Sequence, residues 1–400
     1  MNDASRPADL RLAVIGLGAR GHLAELAHRP GRGARVVACA DPRPAALADA
    51  RRRFGPDVAV HDDYRALDPA GIDAAMVLTP DHLHEPVATH LLAAGVATFV
   101  EKPLAITTAG ADRVLAAARA AGARLYVGHN LRHAPFVTAM RDLVAEGAIG
   151  EVTTIWCRHF VGHGGDYYFK DWHADRRYTN GLLLQKGAHD LDVIHWLAGA
   201  PTAVASAFGN LRVYGDLPRR ELDTDRLMPD WFDPTTWPPQ AQRDLHPTVD
   251  VEDLSVVNLR LANGVLATYQ QCHYTPDYWR NYTVIGTRGR LENFGDLTGA
   301  TIRVWNARRS GYRADADLEL PVPAAGAGRG GSGDHGGADR AVVDEFLEHA
   351  RTGRGTVTSP ISARDAVAAA CAATDSLRAG GVPVSTAAPA PEDVAYFGQG

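Results

Sequence analysis

Three groups of residues in this chain combine side chains and spacings that could do chemistry. The first is Gly16-Leu17-Gly18-Ala19-Arg20-Gly21, directly after the apolar run Leu12, Val14, Ile15. A buried strand there feeds straight into a glycine-rich turn. Gly16 permits the tight turn, Gly18 lets the backbone approach a pyrophosphate, and Gly21 lets the next helix pack close to the strand. The N–H groups and dipole of that helix start, with Ala19 and Arg20 in it, suit a phosphate. A second strand over 34–40 ends in Asp41, where an acid would bind the adenosine ribose hydroxyls. The competing reading of Asp41 is a helix cap before Pro42. Asp41 should repel a 2′-phosphate, which favours NAD over NADP, although Arg43 is a cation that could neutralise one.

The second group is polar and lies at expected strand ends: Thr79-Pro80-Asp81-His82-Leu83-His84, Glu101-Lys102-Pro103, and Gly128-His129-Asn130 with Arg132. A lysine beside a cationic nicotinamide has its own charge disfavoured. It can donate a hydrogen bond to a developing alkoxide. The plain alternative for Lys102 is a solvated lysine before a turn. His82 and His129 read as polar loop histidines. Arg132 either holds a substrate hydroxyl or bridges domains.

The third group lies in 181–199, GLLLQKGAHDLDVIHWLAG, which reads as one helix with Gln185, His189, Asp192 and Trp196 on one face. Taken alone, His189 reads as a satisfied buried histidine, and so does His195. The loop before it, 161–180, holds Asp166, Tyr167, Tyr168, Lys170, Trp172 and His173. Rings mixed with polar groups suit a sugar, though an ordinary surface loop would look similar.

The elements that must position these groups follow from the pattern. Strands expected at 58–61, 73–79, 97–100 and 124–128 alternate with helices at 44–54, 82–94 and 108–121, which implies parallel pairing with right-handed crossovers. The expected fold is α/β. It comprises a Rossmann, doubly wound parallel sheet over 1–133 and an α+β substrate-binding domain over 134–400. Strands at 151–160, 204–211, 251–261, 265–273 and 281–285, with edge strands at 301–305 and 318–320, make an open, mostly antiparallel sheet. Asn263-Gly264 reads as a hairpin turn. Helices are expected at 135–146, 339–351 and 362–378, the last a candidate to pack back on the first domain. Residues 214–250 show no period, and the tail after Gly380 reads as loosely ordered.

GLGARG, TPDHLH, EKP and GHNLRHAP together resemble the Gfo/Idh/MocA family, which includes glucose–fructose oxidoreductase and inositol dehydrogenase. The resemblance implies a nicotinamide dinucleotide and a sugar or polyol ligand. It places Lys102 on the reacting oxygen and His84 and Glu101 near the cofactor, and it makes His189 catalytic. Thr79, Pro80 and Asn130 join the expected cofactor site. Lys102, Arg132, Tyr168, Lys170, Trp172, Gln185, Lys186 and His189 form the expected substrate site. Relatives often have a cis peptide before the EKP proline, here Pro103. They carry aspartate where this chain has Gln185, with Lys186 beside it, and this departure keeps the mechanism open. An NAD-dependent dehydrogenase of a sugar, glycoside or cyclitol is the first reading. A redox-neutral glycosidase that oxidises, eliminates and reduces again is the alternative, and a non-catalytic NAD-sensing regulator is a third. His335 before Gly336-Gly337 has a counterpart near the sugar in some relatives; a flexible surface link is the competing reading.

The 400 residues suggest two or three domains. Net charge is −6 without a basic block, which argues against nucleic acid. Cys39, Cys157, Cys272 and Cys371 lie far apart without metal spacing and read as reduced thiols of a cytoplasmic protein, so no metal site is expected. No apolar run is long enough to span a bilayer and no signal region is evident, so no membrane partner is expected. The family's sheet implies a homodimer or homotetramer.

Overall fold

The computed structural model describes residues 8–221, 226–297, 299–322 and 337–398. His335 and most of the Pro/Gly-rich stretch around it lie outside the described residues. The chain forms two compact units. The first comprises 1–129, 340–364 and 389–400, and the second comprises 130–339 and 365–388.

The first unit is built on six parallel strands: β1 (Leu10–Ile15), β2 (Ala34–Ala40), β3 (Ala59–His61), β4 (Ala74–Val77), β5 (Ala97–Val100) and β6 (Leu125–Val127). Their order is β3-β2-β1-β4-β5-β6. Both faces of such a sheet are covered, so its strands read as continuous apolar runs. In β1, Leu12 and Val14 join one apolar cluster with Phe54, Phe99 and Tyr126, while Ala13 and Ile15 join another with Val77, Val87 and Leu91. Val342, Val343 and Phe346 of helix Ala338–Thr352 complete the first cluster. The strand order reverses between β1 and β4, so a crevice opens at their carboxyl ends.

The second unit carries a nine-stranded sheet: β7 (Val152–Phe160), β8 (Thr202–Asn210), β9 (Leu254–Leu261), β10 (Leu266–Cys272), β11 (Trp279–Gly286), β12 (Gly289–Phe294), β13 (Thr301–Trp305), β14 (Leu318–Pro321) and β15 (Val384–Ser385). The order is β14-β13-β12-β11-β7-β10-β9-β8-β15. Every pairing is antiparallel except β7 with β10. Gly264, at φ +88°, turns the chain between β9 and β10. Alternation sends Cys157 and His159 of β7, Val257 of β9 and Tyr269 and Gln271 of β10 to a buried face. Helix Gly187–Ala198 packs there. The opposite face exposes Trp156 (53%), Leu266 (56%) and Phe208 (62%).

Several expectations need correction. The stretch 181–199 is two helices, Leu182–Gln185 and Gly187–Ala198, broken at Lys186 with φ −102°. A Cβ at Gly187 would lie 2.9 Å from the Tyr269 ring, so this glycine brings the second helix close against the sheet. The 161–180 stretch contains helical turns at Gly164–Tyr167, Trp172–Ala174 and Arg176–Thr179. β12 was not expected, nor was helix Pro391–Phe397 in the tail. The irregular 214–250 segment is anchored: Tyr214, Leu245 and Val249 join Tyr168, Phe169 and Leu182 in one apolar cluster.

Candidate active site

Gly16 has φ +88°, and a Cβ there would lie 2.8 Å from the backbone of Leu78 and Thr79. Only glycine fits this turn. A Cβ at Gly18 would meet nothing within 4 Å, so the backbone there is open to a close ligand. Gly21 differs from its expected role. A Cβ there makes only an ordinary contact with Arg53, 3.6 Å away, so close packing does not require glycine. Ala19–Gly21 forms a single 3₁₀ turn ahead of helix His22–Ala27. Asp41 is not a helix cap. It accepts the Leu17 N–H at 2.8 Å, which ties the end of β2 to the glycine turn. Arg43 folds back on it, with Nε 3.0 Å from Oδ1 and Nη2 3.0 Å from Oδ2.

At the ends of β4 and β5 lies a cluster of buried polar groups. The peptide bond between Lys102 and Pro103 is cis. His84 joins two loops, its Nδ1 lying 2.6 Å from the Pro103 carbonyl and its Nε2 2.9 Å from the Thr79 carbonyl. Burial drives its pKa down to about 4 against the pull of those two carbonyls. Glu101 Oε1 is 3.3 Å from Arg20 Nε. Lys102 is buried, and it faces Asp81 electrostatically. Burial pushes the Asp81 carboxyl up to about 8, with Glu101 adding and Lys102 opposing. Thr79 Oγ1, Asp81 Oδ2 and Glu101 Oε2 are buried without a hydrogen-bond partner among the described residues. Buried polar atoms are rarely left so. Unfilled groups beside an open glycine turn fit a dinucleotide laid across the strand ends.

In the second unit, His189 is buried in the first turn of helix Gly187–Ala198, and Gln185 is buried just before the break. Lys186 Nζ lies 5.8 Å from the Tyr168 ring. Tyr168 meets His173 edge-on at 5.2 Å, and His173 stacks on Trp172 at 3.8 Å. Tyr168, Trp172 and Lys186 therefore share one neighbourhood. Lys170 turns elsewhere, 3.9 Å from Asp166 and 5.8 Å from the Trp231 ring. Arg132 forms a buried two-point pair with Asp192, both bonds 2.8 Å, under the Trp196 ring. Its guanidinium is thus occupied by helix Gly187–Ala198. Asn130 donates to Asp339 at 2.7 Å.

A model described as "Oxidoreductase family, NAD-binding Rossmann fold" matches residues 10–129, and one described as "GFO/IDH/MocA C-terminal domain" matches residues 137–292. The chain belongs to the Gfo/Idh/MocA family. Its first unit is an NAD-binding Rossmann domain. Inositol 2-dehydrogenase of Burkholderia cenocepacia (strain HI2424) is 33% identical over 200 residues, covering 49% of this chain and 56% of that protein. Inositol 2-dehydrogenase 1 of Saccharopolyspora erythraea is 32% identical over 192 residues, covering 47% and 54%. The chain thus spans little more than half the length of these curated relatives. Levoglucosan dehydrogenase in complex with NADH and levoglucosan superposes with a TM-score of 0.73 at 21% identity, over 94% of this chain and 99% of that one. GenD2 from gentamicin A biosynthesis in complex with NAD gives 0.71 at 22%, over 97% and 99%. At these identities the likeness is one of fold.

Two features of this family member lie outside the expected site. One is Asp190, fully buried next to His189. Its Oδ2 lies 2.8 Å from His159 Nδ1 and 3.1 Å from the Tyr269 hydroxyl, and its Oδ1 lies 3.1 Å from Arg280 Nε and accepts from Tyr282. Burial opposes the charge of Asp190, but Arg280 and His159 outweigh it and hold the carboxyl below the usual range. Burial and Arg280 bring His159 down to about 3, so it donates to Asp190 as a neutral ring. The other is His273, immediately after β10. Neither has a local sequence signal, because their partners are remote in the chain.

Proposed function

We propose that the chain is an NAD-dependent dehydrogenase exchanging a hydride between nicotinamide and a secondary alcohol or ketone of a sugar, glycoside or cyclitol. Bound NAD supplies the hydride acceptor. Lys102 donates a hydrogen bond to the oxygen on the reacting carbon and stabilises the charge growing there. His189 takes the hydroxyl proton in oxidation and returns it in reduction. Gln185, Lys186, Tyr168 and Trp172 hold the rest of the sugar through an amide, a cation and ring faces. The observation that carries this reading is the buried Lys102 at the end of β5, among unfilled polar groups of an NAD-binding unit. A lysine that merely preceded a turn would be solvated.

Asp41 supports NAD over NADP, because a 2′-phosphate would meet a carboxylate already fixed by Leu17 and Arg43. The exposed row of Trp156, Leu266 and Phe208 supports a homo-oligomer joined through that sheet face. The test is a panel of sugars, glycosides and polyols with NAD and NADP, following nicotinamide absorbance and aglycone release together. NADH formed in step with a keto product is the expected result. Aglycone release without net NADH would replace this reading with the redox-neutral glycosidase. NAD binding with no turnover of any kind would leave the non-catalytic regulator.

A further inference from the structure

The inner row of β10 runs Ala267, Tyr269, Gln271 and, one step past the strand, His273, all buried. Tyr269 is fully used by Asp190 and Gln271, its hydroxyl 3.0 Å from the Gln271 amide. That contact occupies one end of the amide, and the other, Nε2, has no partner among the described residues. Exchanging the oxygen and nitrogen positions would still leave one end unfilled. His273 is 0% exposed and neither of its ring nitrogens has a hydrogen-bond partner among the described residues. Other buried histidines of the unit are engaged: His159 by Asp190, His195 by Thr202 at 2.8 Å, His246 by the Thr248 carbonyl at 2.8 Å.

The unfilled imidazole is held firmly. The backbone N–H of His273 donates to the Asp253 carbonyl at 2.9 Å, and the His273 backbone carbonyl accepts from the Tyr214 hydroxyl at 2.9 Å. Tyr168 and Phe169 meet the ring edge-on at 5.4 and 6.1 Å. A Cβ on Gly164 would lie 2.1 Å from the His273 carbonyl oxygen, so the neighbouring loop is bare where it crosses. Burial, with His159 and Lys186 adding, keeps the ring neutral. The same Tyr168 ring faces Lys186, and a Cβ on Gly187 would lie 3.5 Å from Gln271 Oε1. Gln271 and His273 therefore border the start of the helix that carries His189.

We propose that Gln271 and His273 bind hydroxyl groups of a neutral, polyhydroxylated ring and set which sugar or cyclitol is accepted. This rests on the function proposed above. A neutral imidazole offers one donor and one acceptor, and a free carboxamide end offers one more group. Hydroxyls both donate and accept, so they can fill all of them. A site built to bond a hydroxyl rejects the analogue that lacks it, because its buried polar groups are then left unfilled.

The variants His273→Phe and Gln271→Leu remove the polar atoms at similar volume, and His273→Gln retains a donor and an acceptor. NAD-loaded protein is screened by thermal shift against myo-inositol, hexoses and their singly deoxygenated analogues, and kcat and KM are measured for any compound turned over. Expected for His273→Phe and Gln271→Leu are unchanged NAD binding, an unliganded melting temperature no lower than wild type, and a roughly tenfold or greater rise in KM or in the half-maximal shift. Discrimination against one deoxy analogue should vanish in each variant, and His273→Gln should restore much of the affinity. Sugar-dependent shifts with no turnover would sink the dehydrogenase reading and leave this one standing. Affinity and discrimination within about twofold of wild type in both variants would overturn the proposal, and so would a wild-type protein that responds to no polyol.

Discussion

Asp190→Asn should destabilise the second unit severely. The carboxylate has no exposed surface and meets His159, Tyr269, Tyr282 and Arg280 at once. Asparagine keeps the volume but removes the charge and places an N–H₂ where an acceptor served two donors. Arg280, also buried, keeps among the described residues only Asp296, 3.4 Å away, as a carboxylate partner. Breaking a buried pair on one side costs about 3–5 kcal/mol, because the surviving charge stays desolvated. Two charged hydrogen bonds at about 1.5–3 kcal/mol each give a similar sum. In a unit of this size that is a fall in melting temperature of roughly 6–20 °C. Tryptophan fluorescence through thermal and urea unfolding would record it. A second variant, Asp190→Leu with Arg280→Met, removes both charges and should recover a large part of the loss, since the two residues act as a pair. A single-variant loss below about 1 kcal/mol, or a double variant as unstable as the sum of its parts, would refute the claim that this network holds the helix bearing His189.

Three further outcomes are expected. Lys102→Ala and His189→Ala should each retain NAD binding by fluorescence titration and lose about 10²–10³-fold or more in kcat; near-normal turnover would remove that residue from the mechanism. Burial raises the Asp81 carboxyl to about 8 in the folded state against about 4 in the unfolded chain, so stability should fall as pH rises through that window, by at most about 1.4 kcal/mol per unit. Asp81→Asn should flatten that slope in urea melts at pH 5, 6.5 and 8; an unchanged slope would show that Asp81 is ionised throughout. Trp156→Glu places a charge on the open sheet face and should lower the mass measured by light scattering to that of a smaller assembly, whereas an unchanged mass would move the subunit contact elsewhere.

What could be read in the sequence was local. The β1 turn, the acid after β2 and the polar strand ends of β4 and β5 announce themselves within a few residues, because each is a contiguous motif on a buried strand. Helix Thr108–Ala121 has its cap, Thr107, and its stop, Gly122, in the sequence, and its bounds are as expected. β12 was illegible because Gly289–Phe294 mixes glycine, charge and amide; pairing with β11 and β13 makes it a strand. The break at Lys186 was illegible because 181–199 is helical in pattern throughout, and Tyr269, against which Gly187 packs closely, lies far along the chain. The tail helix Pro391–Phe397 did carry signals, proline at its first position and Glu392 and Asp393 in its first turn. Arg119 holds it by Asp393 at 2.6 Å. In the site, Arg132 had the right type and a plausible place, yet Asp192 claims it.

The way the first unit closes has a consequence for how the protein is made. Its sheet is complete once residue 129 has left the ribosome, but Val342, Val343 and Phe346, which cover Phe99 and Tyr126, come about 200 residues later. At about 5–20 residues per second, the nascent NAD-binding sheet waits roughly 10–40 s with that apolar face bare. The earliest unit to be synthesised is therefore among the last to be finished. Chains truncated before Ala338 would present that face to other molecules, so quality control during synthesis bears on this unit more than its position in the chain suggests.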